Sequence, residues 1–102
     1  MSATKHSVRL LSSAENDLSE IVSYIAEDDH AAGIAMLERF ESGFESLGSS
    51  PRLGRVPKED SIAAYGYRYL VVANYLVFYV IREQTVVIHR IIHGARNYLD
   101  LF

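Results

Sequence analysis

The sequence contains no cysteine, no tryptophan and only two prolines among 102 residues. Without cysteine, disulfides and thiolate metal sites are excluded, which fits a reducing compartment and makes the cytoplasm the expected location. The N-terminus lacks a basic segment followed by an apolar stretch, so no signal peptide is expected. The apolar run over 69–81 is too short to span a bilayer and is broken by Asn74, so no membrane partner is expected. No P-loop or Ser-His-Asp signature occurs: Gly48-Ser49-Ser50 and Gly54-Arg55 lack the required spacing. No repeat or low-complexity tract appears, and no cofactor is expected. The length predicts a single domain over 1–102, large enough to bury one core without staples.

The formal net charge is −3, which argues against a general nucleic-acid binder. Its distribution is uneven. Residues 1–50 carry three basic and nine acidic side chains, net −6, whereas residues 51–102 carry seven and four, net +3. The second half therefore places a modest positive field on an acidic whole, unless the asymmetry only reflects the acidic preference of helix surfaces.

Residues 7–11, Ser-Val-Arg-Leu-Leu, read as a first strand. Ser12 and Glu15 form a capping-box pattern that predicts a helix start. Leu18, Ile21, Val22 and Ile25 then recur at helical spacing and define one apolar face. Asp29 can cap a second helix, whose apolar positions are Met36, Leu37, Phe40, Phe44 and Leu47. The short connection predicts an antiparallel helix hairpin. Gly48-Ser49-Ser50-Pro51 ends it. A loop with Arg52, Arg55 and Lys58 follows, and from Ile62 the pattern changes to strands. Residues 67–72 form one strand, Ala73-Asn74 a turn, 75–81 a strand covered on both faces, and 86–93 the last strand. Residues 95–102 are expected as a helical turn or an extended arm. The fold class is α+β: an N-terminal strand, the hairpin, then a three-stranded antiparallel sheet, in the order β-α-α-β-β-β. The first strand should pair with a later one, since alone it would expose its ladder.

Candidate chemistry is sparse. His89 and His93 on one strand face would stand about 13 Å apart, too far for a single ion, so no metal site is expected. His93 sits at a strand end beside Gly94, where sites are often built, though a histidine hydrogen-bonding the following chain explains it as well. Arg68 lies between Tyr67 and Tyr69. The tyrosines should face one way and Arg68 the other. Such an arginine can bind phosphate, anchor a protein interface, or close a salt bridge to a helix carboxylate. Tyr75 and Tyr79 share a face and should pack in the core or on the sheet surface.

Several blocks together resemble the RelE/ParE superfamily of type II toxin–antitoxin toxins. They are Leu47-Gly48-Ser49-Ser50-Pro51, Leu53-Gly54-Arg55-Val56-Pro57, Tyr67-Arg68-Tyr69-Leu70-Val71, Asn74-Tyr75-Leu76-Val77-Phe78-Tyr79 and Ile91-Ile92-His93-Gly94-Ala95-Arg96. Their order matches the superfamily across nearly the whole chain, and the His-Gly-Ala-Arg and Gly-Arg-Val-Pro blocks look more like its ParE branch. The resemblance implies a plasmid-stabilisation type toxin that inhibits DNA gyrase by binding and is neutralised by a ParD-like antitoxin. One alternative it implies is a RelE-like ribosome-dependent mRNA endoribonuclease. Another is an inactive, toxin-derived binding module. RelE-like chemistry is disfavoured because Leu76 stands where that branch often has arginine, and Phe102 stands where its tail tyrosine falls. Arg96 does match a RelE-like catalytic arginine. Arg68, His93 and Arg96 are therefore the candidates for toxicity or target binding. Leu18, Ile25, Leu37 and Phe44 on the hairpin are the candidates for antitoxin binding.

Overall fold

A computed structural model describes residues 5–95. Strand β1 covers Ser7–Leu10, helix α1 Ser12–Asp28 and helix α2 His30–Ser49. A single 3₁₀ turn, Pro51–Leu53, is followed by the one-turn helix α3, Asp60–Ala63. Strands β2 (Arg68–Val72), β3 (Tyr75–Arg82) and β4 (Thr85–His93) complete the described chain. The expected α+β order is present, with α3 added.

Only Asp29 separates the two long helices. Its carboxylate accepts from the Ala32 N–H at 3.1 Å, the N-cap expected from sequence. The capping box at Ser12 does not form. Leu11 is the cap residue and contributes no side-chain bond. Its N–H is still paired to the Ile88 carbonyl at 2.9 Å, so β1 runs straight into α1 and Ser12 arrives one residue too late to cap. Ser13 instead donates its hydroxyl to the His89 carbonyl at 2.7 Å, tying the helix start to the sheet. Gly33 lets the helices approach: a Cβ there would lie 2.7 Å from the Ala26 Cβ.

The strand expected from Ile62 is also corrected. Ile62 belongs to α3, where the Glu59 carbonyl accepts from the N–H groups of both Ile62 and Ala63. A four-residue helix is too short to display a 3.6-residue period. Burial of Ile62 anchors it.

The sheet is four-stranded and mixed, in the order β1-β4-β3-β2. Strands β2, β3 and β4 pair antiparallel, and β1 adds parallel to β4. Two-residue turns connect the antiparallel strands, with left-handed φ at Ala73 (53°) and Glu83 (54°). The helix pair covers one face. Ala14, Phe40 and Leu47 meet Val77, Tyr79, Val86, Ile88 and Ile91 there. Residues Val77–Val80 are all buried, as expected for a strand covered on both sides.

A bulge alters the last strand. Phe78 pairs with Arg90 and Tyr79 with Ile88, leaving His89 as an extra residue. The side-chain alternation shifts there. His93 contacts Tyr75, which itself packs on Phe40 on the helix side. His89 contacts Tyr67, on the other side. The two histidines therefore do not share a face. Among the described residues, no group of three His, Cys, Asp or Glu could hold a metal ion. No described helix is long and apolar enough to cross a membrane.

Candidate functional site

Arg68 pairs with Tyr79 across the β2–β3 ladder, and its side chain goes to the loop after α2. Nη1 donates to the carbonyls of Gly54 (2.9 Å) and Arg52 (3.3 Å). Among the described residues it makes no salt bridge to a helix carboxylate. Tyr67 and Tyr69 pack on His89 and Phe78 instead, so the expected split of tyrosines and arginine is present. The same loop is fixed by Tyr79, whose buried hydroxyl donates to the Pro51 carbonyl at 2.6 Å and accepts from the Gly54 N–H at 2.9 Å. Burial pushes the Tyr79 phenol up from its ordinary pKa, against opposing pulls from the Gly54 N–H and the Arg68 charge. Gly54 is required at this contact, since a Cβ would lie 2.5 Å from the Tyr79 hydroxyl.

The helix carboxylate that does meet an arginine is Asp17. It receives Arg90 Nε at 2.7 Å and Nη2 at 3.0 Å, and also the Ile91 N–H at 2.9 Å. The hydrogen bond that Arg90 donates to Asp17 is the main reason its pKa is raised further. Sequence reading missed this pair. Its only signal is a charged residue inside an apolar strand, and its partner is 73 residues away.

His93 is exposed. Its ring meets Tyr75 edge-on at 5.4 Å, and Nδ1 accepts from the Ala95 N–H at 3.1 Å. It helps turn the chain where the Gly94 N–H reaches the Asn74 carbonyl at 2.7 Å. This is the structural role considered from sequence. Arg96 and Phe102, and all but the first residue of the expected C-terminal arm, lie outside the described residues. Leu76 pairs with Ile92 in the sheet and is half-buried.

The four hairpin candidates separate. Leu18 and Leu37 come together with Leu10 and Val22 around a groove of about 450 Å³ between the hairpin and β1. Ile25 lies in a different hollow at the hairpin tip, with Tyr24 and Ala32. Phe44 packs inward, with its ring 6.3 Å from Phe40. Periodicity puts all four on apolar helix faces but cannot distinguish groove from core.

The two sheet edges are also unlike. On β2, Arg55 pairs with Tyr69 through reciprocal backbone bonds of 2.8 and 2.9 Å, covering the start of that edge. On β1, the N–H groups of Ser7 and Leu11 face β4, bonding Gln84 and Ile88. The alternation then turns the backbone of Val8 and Leu10 outward. The groove beside Leu10 thus adjoins an open strand edge.

Comparison with known proteins agrees with this architecture. The sequence model of the ParE toxin of the type II toxin–antitoxin system parDE matches residues 8–98. Among solved structures, the chromosomal ParDE toxin–antitoxin system from P. aeruginosa matches with a TM-score of 0.73 at 14% identity, covering 89% of this chain and 98% of that one. The toxin–antitoxin complex RelBE2 from Mycobacterium tuberculosis matches with a TM-score of 0.59 at 25% identity, covering 91% and 95%. No curated protein sequence matches the chain.

Proposed function

The chain belongs to the ParE toxin family of type II toxin–antitoxin systems, and on that premise we propose that it inhibits DNA gyrase by binding and is silenced by a ParD-like antitoxin in the cytoplasm. The observation that carries the antitoxin half is the open β1 edge at Val8 and Leu10, beside a groove where Leu10, Leu18, Val22 and Leu37 alternate with the polar Glu15, Ser19 and Ser23. An antitoxin segment can add a strand along Val8 and Leu10 and set apolar side chains into that groove. The coarser point, a toxin with an antitoxin partner, follows from the family. The gyrase target is our reading, supported by the ParE-type match and by Leu76, which supplies no charge where a nuclease would need one.

Purified toxin should inhibit gyrase supercoiling in a dose-dependent way, and added antitoxin should restore it. Unchanged supercoiling at saturating toxin would remove the gyrase target. The second reading is ribosome-dependent mRNA cleavage. It is kept by the likeness to RelBE2 and by Arg96 at a RelE-like catalytic position. It requires codon-positioned cuts in a translation extract that vanish in Arg96→Ala. Neither effect, with no growth arrest on expression alone, would leave an inactive partner-binding module.

A further inference from the structure

The sheet face away from the helices carries a second concave feature, at the far end of β3 from Leu76. Arg82 lies six residue steps beyond Leu76, about 20 Å along an extended strand. A hollow of about 390 Å³ lies there, within the range of small-ligand sites. Its apolar floor is formed by Ile62 and Val80, both only 3% exposed. Its walls differ in chemistry. Tyr65 is 73% exposed, so a large ring stands in solvent at the rim, just before the left-handed Gly66. Arg82 lines the hollow and is exposed. Its only hydrogen bond within the described residues is a long 3.4 Å contact to the adjacent Ile81 carbonyl, and no carboxylate pairs with it. Opposite, His89 holds Tyr67 edge-on at 5.1 Å, with the phenol oxygen 3.2 Å from Nδ1.

This combination selects a ligand class. An unpaired guanidinium at the mouth of an apolar hollow favours an oxyanion, and phosphate suits its planar fork. The Tyr67 phenol is hydrogen-bonded to Nδ1 of His89, so Nε2 is the ring nitrogen left to meet a ligand. Burial, and then the Arg82 charge, hold that ring on the neutral side. The exposed Tyr65 ring offers a π face that an anion alone does not use but a planar base does. An acidic peptide would satisfy the guanidinium and leave the ring bare.

We propose that the hollow lined by Tyr65, Arg82 and His89 is a nucleotide-binding site, with Arg82 holding the phosphate and Tyr65 stacking on the base. The site is separate from the antitoxin groove and does not depend on which target the toxin has. Its position comes from two local features: the one-turn helix α3, which presents Tyr65, and the β4 bulge, which turns His89 to this face.

The test is titration of the isotope-labelled chain by two-dimensional amide NMR with AMP, adenosine and ribose 5-phosphate. AMP should shift the amides of Tyr65, Tyr67, Arg82 and His89 saturably, and each half-ligand should bind at least about tenfold more weakly. Arg82→Ala and Tyr65→Ala, both exposed side chains, should each weaken AMP about tenfold while leaving the rest of the spectrum in place. No saturable shift at millimolar AMP would overturn the proposal. So would shifts confined elsewhere, or AMP binding indifferent to both substitutions. Equal binding of AMP and ribose 5-phosphate would overturn the stacking role and with it the nucleotide assignment.

Discussion

Removing one oxygen, by Tyr79→Phe, should be among the most damaging conservative changes in this chain. The Tyr79 side chain is fully buried, and its hydroxyl serves two loop groups, the Pro51 carbonyl and the Gly54 N–H. Phenylalanine fills the same ring volume, so no cavity term enters beyond one atom. What remains is the desolvation of two orphaned backbone groups, about 1–3 kcal/mol each. Arg52 and Leu53 between them are exposed, so the loop can turn partly toward water, which favours the lower end of that range. We therefore expect a loss of about 2–3 kcal/mol, against a total of about 5–15 kcal/mol for a domain of this size. At about 4–8 °C per kcal/mol, Tm should fall by roughly 10–20 °C. Urea unfolding followed by circular dichroism should show a lower midpoint with an unchanged slope. A loss under about 0.5 kcal/mol would refute the reasoning, because it would mean the loop groups find other partners at no cost. The same hydroxyl gives a pH signature. Its folded pKa lies above the unfolded value of 10.0, so the contribution is intact below that pH and is lost as pH rises through the folded pKa. That alkaline loss should be absent in Tyr79→Phe.

Three further outcomes can be checked by similar means. Asp17→Ala should cost about 2 kcal/mol in chemical unfolding, and Asp17→Asn about half of that, since asparagine still accepts from the Ile91 N–H; equal losses would show that this bond carries none of the effect. Gly33→Ala should destabilise by about 1–3 kcal/mol despite better helix propensity, because its Cβ meets Ala26 at 2.7 Å. In a double-mutant cycle Gly33→Ala should cost less beside Ala26→Gly than beside Ala26, and strict additivity would show that the Cβ contact is not the cause. His89 should titrate below its ordinary 6.5 by NMR, held down by burial and then by Arg82. Its contribution to stability is present above 6.5 and lost as pH falls through the folded value, and a midpoint at or above 6.5 would contradict the buried geometry.

What the sequence disclosed follows from what periodicity can carry. The hairpin, the Asp29 cap, the Ala73-Asn74 turn and the doubly covered β3 each leave a local pattern, and each is present. The misses share a different character. Helix α3 is shorter than the period that would reveal it. The β4 bulge inserts one residue, which alternation alone cannot register, and it moved His89 to the opposite face from His93. The Ser12 capping box failed because strand pairing extends through Leu11, a constraint set by β4 nearly 80 residues later. At the candidate sites the limit is sharper still. The flanking tyrosines gave the side on which Arg68 lies, but not that its guanidinium is spent on the Gly54 and Arg52 carbonyls.

That last contact bears on where a partner can bind. The β2 side of the sheet is committed: Arg68 and Tyr79 hold the Pro51–Gly54 loop, and the next residue, Arg55, pairs with Tyr69 at the edge. Displacing Arg55 would break two backbone bonds and disturb the loop behind them, so strand addition there must first undo structure. On the β1 side the His6 N–H is held by the Gly48 carbonyl at 2.8 Å, and the edge is open only beyond it. Val8 and Leu10 turn their backbone outward, and the groove beside Leu10 is already open. A bare edge also invites self-pairing, and Arg9, exposed on this short strand, is the kind of charge that opposes it. The same charge would select the partner strand. A segment with an acidic side chain across from Arg9, flanked by apolar residues directed to Leu10 and Leu18, would satisfy the edge, the groove and the charge together, and a neutral or basic segment would satisfy only the first two.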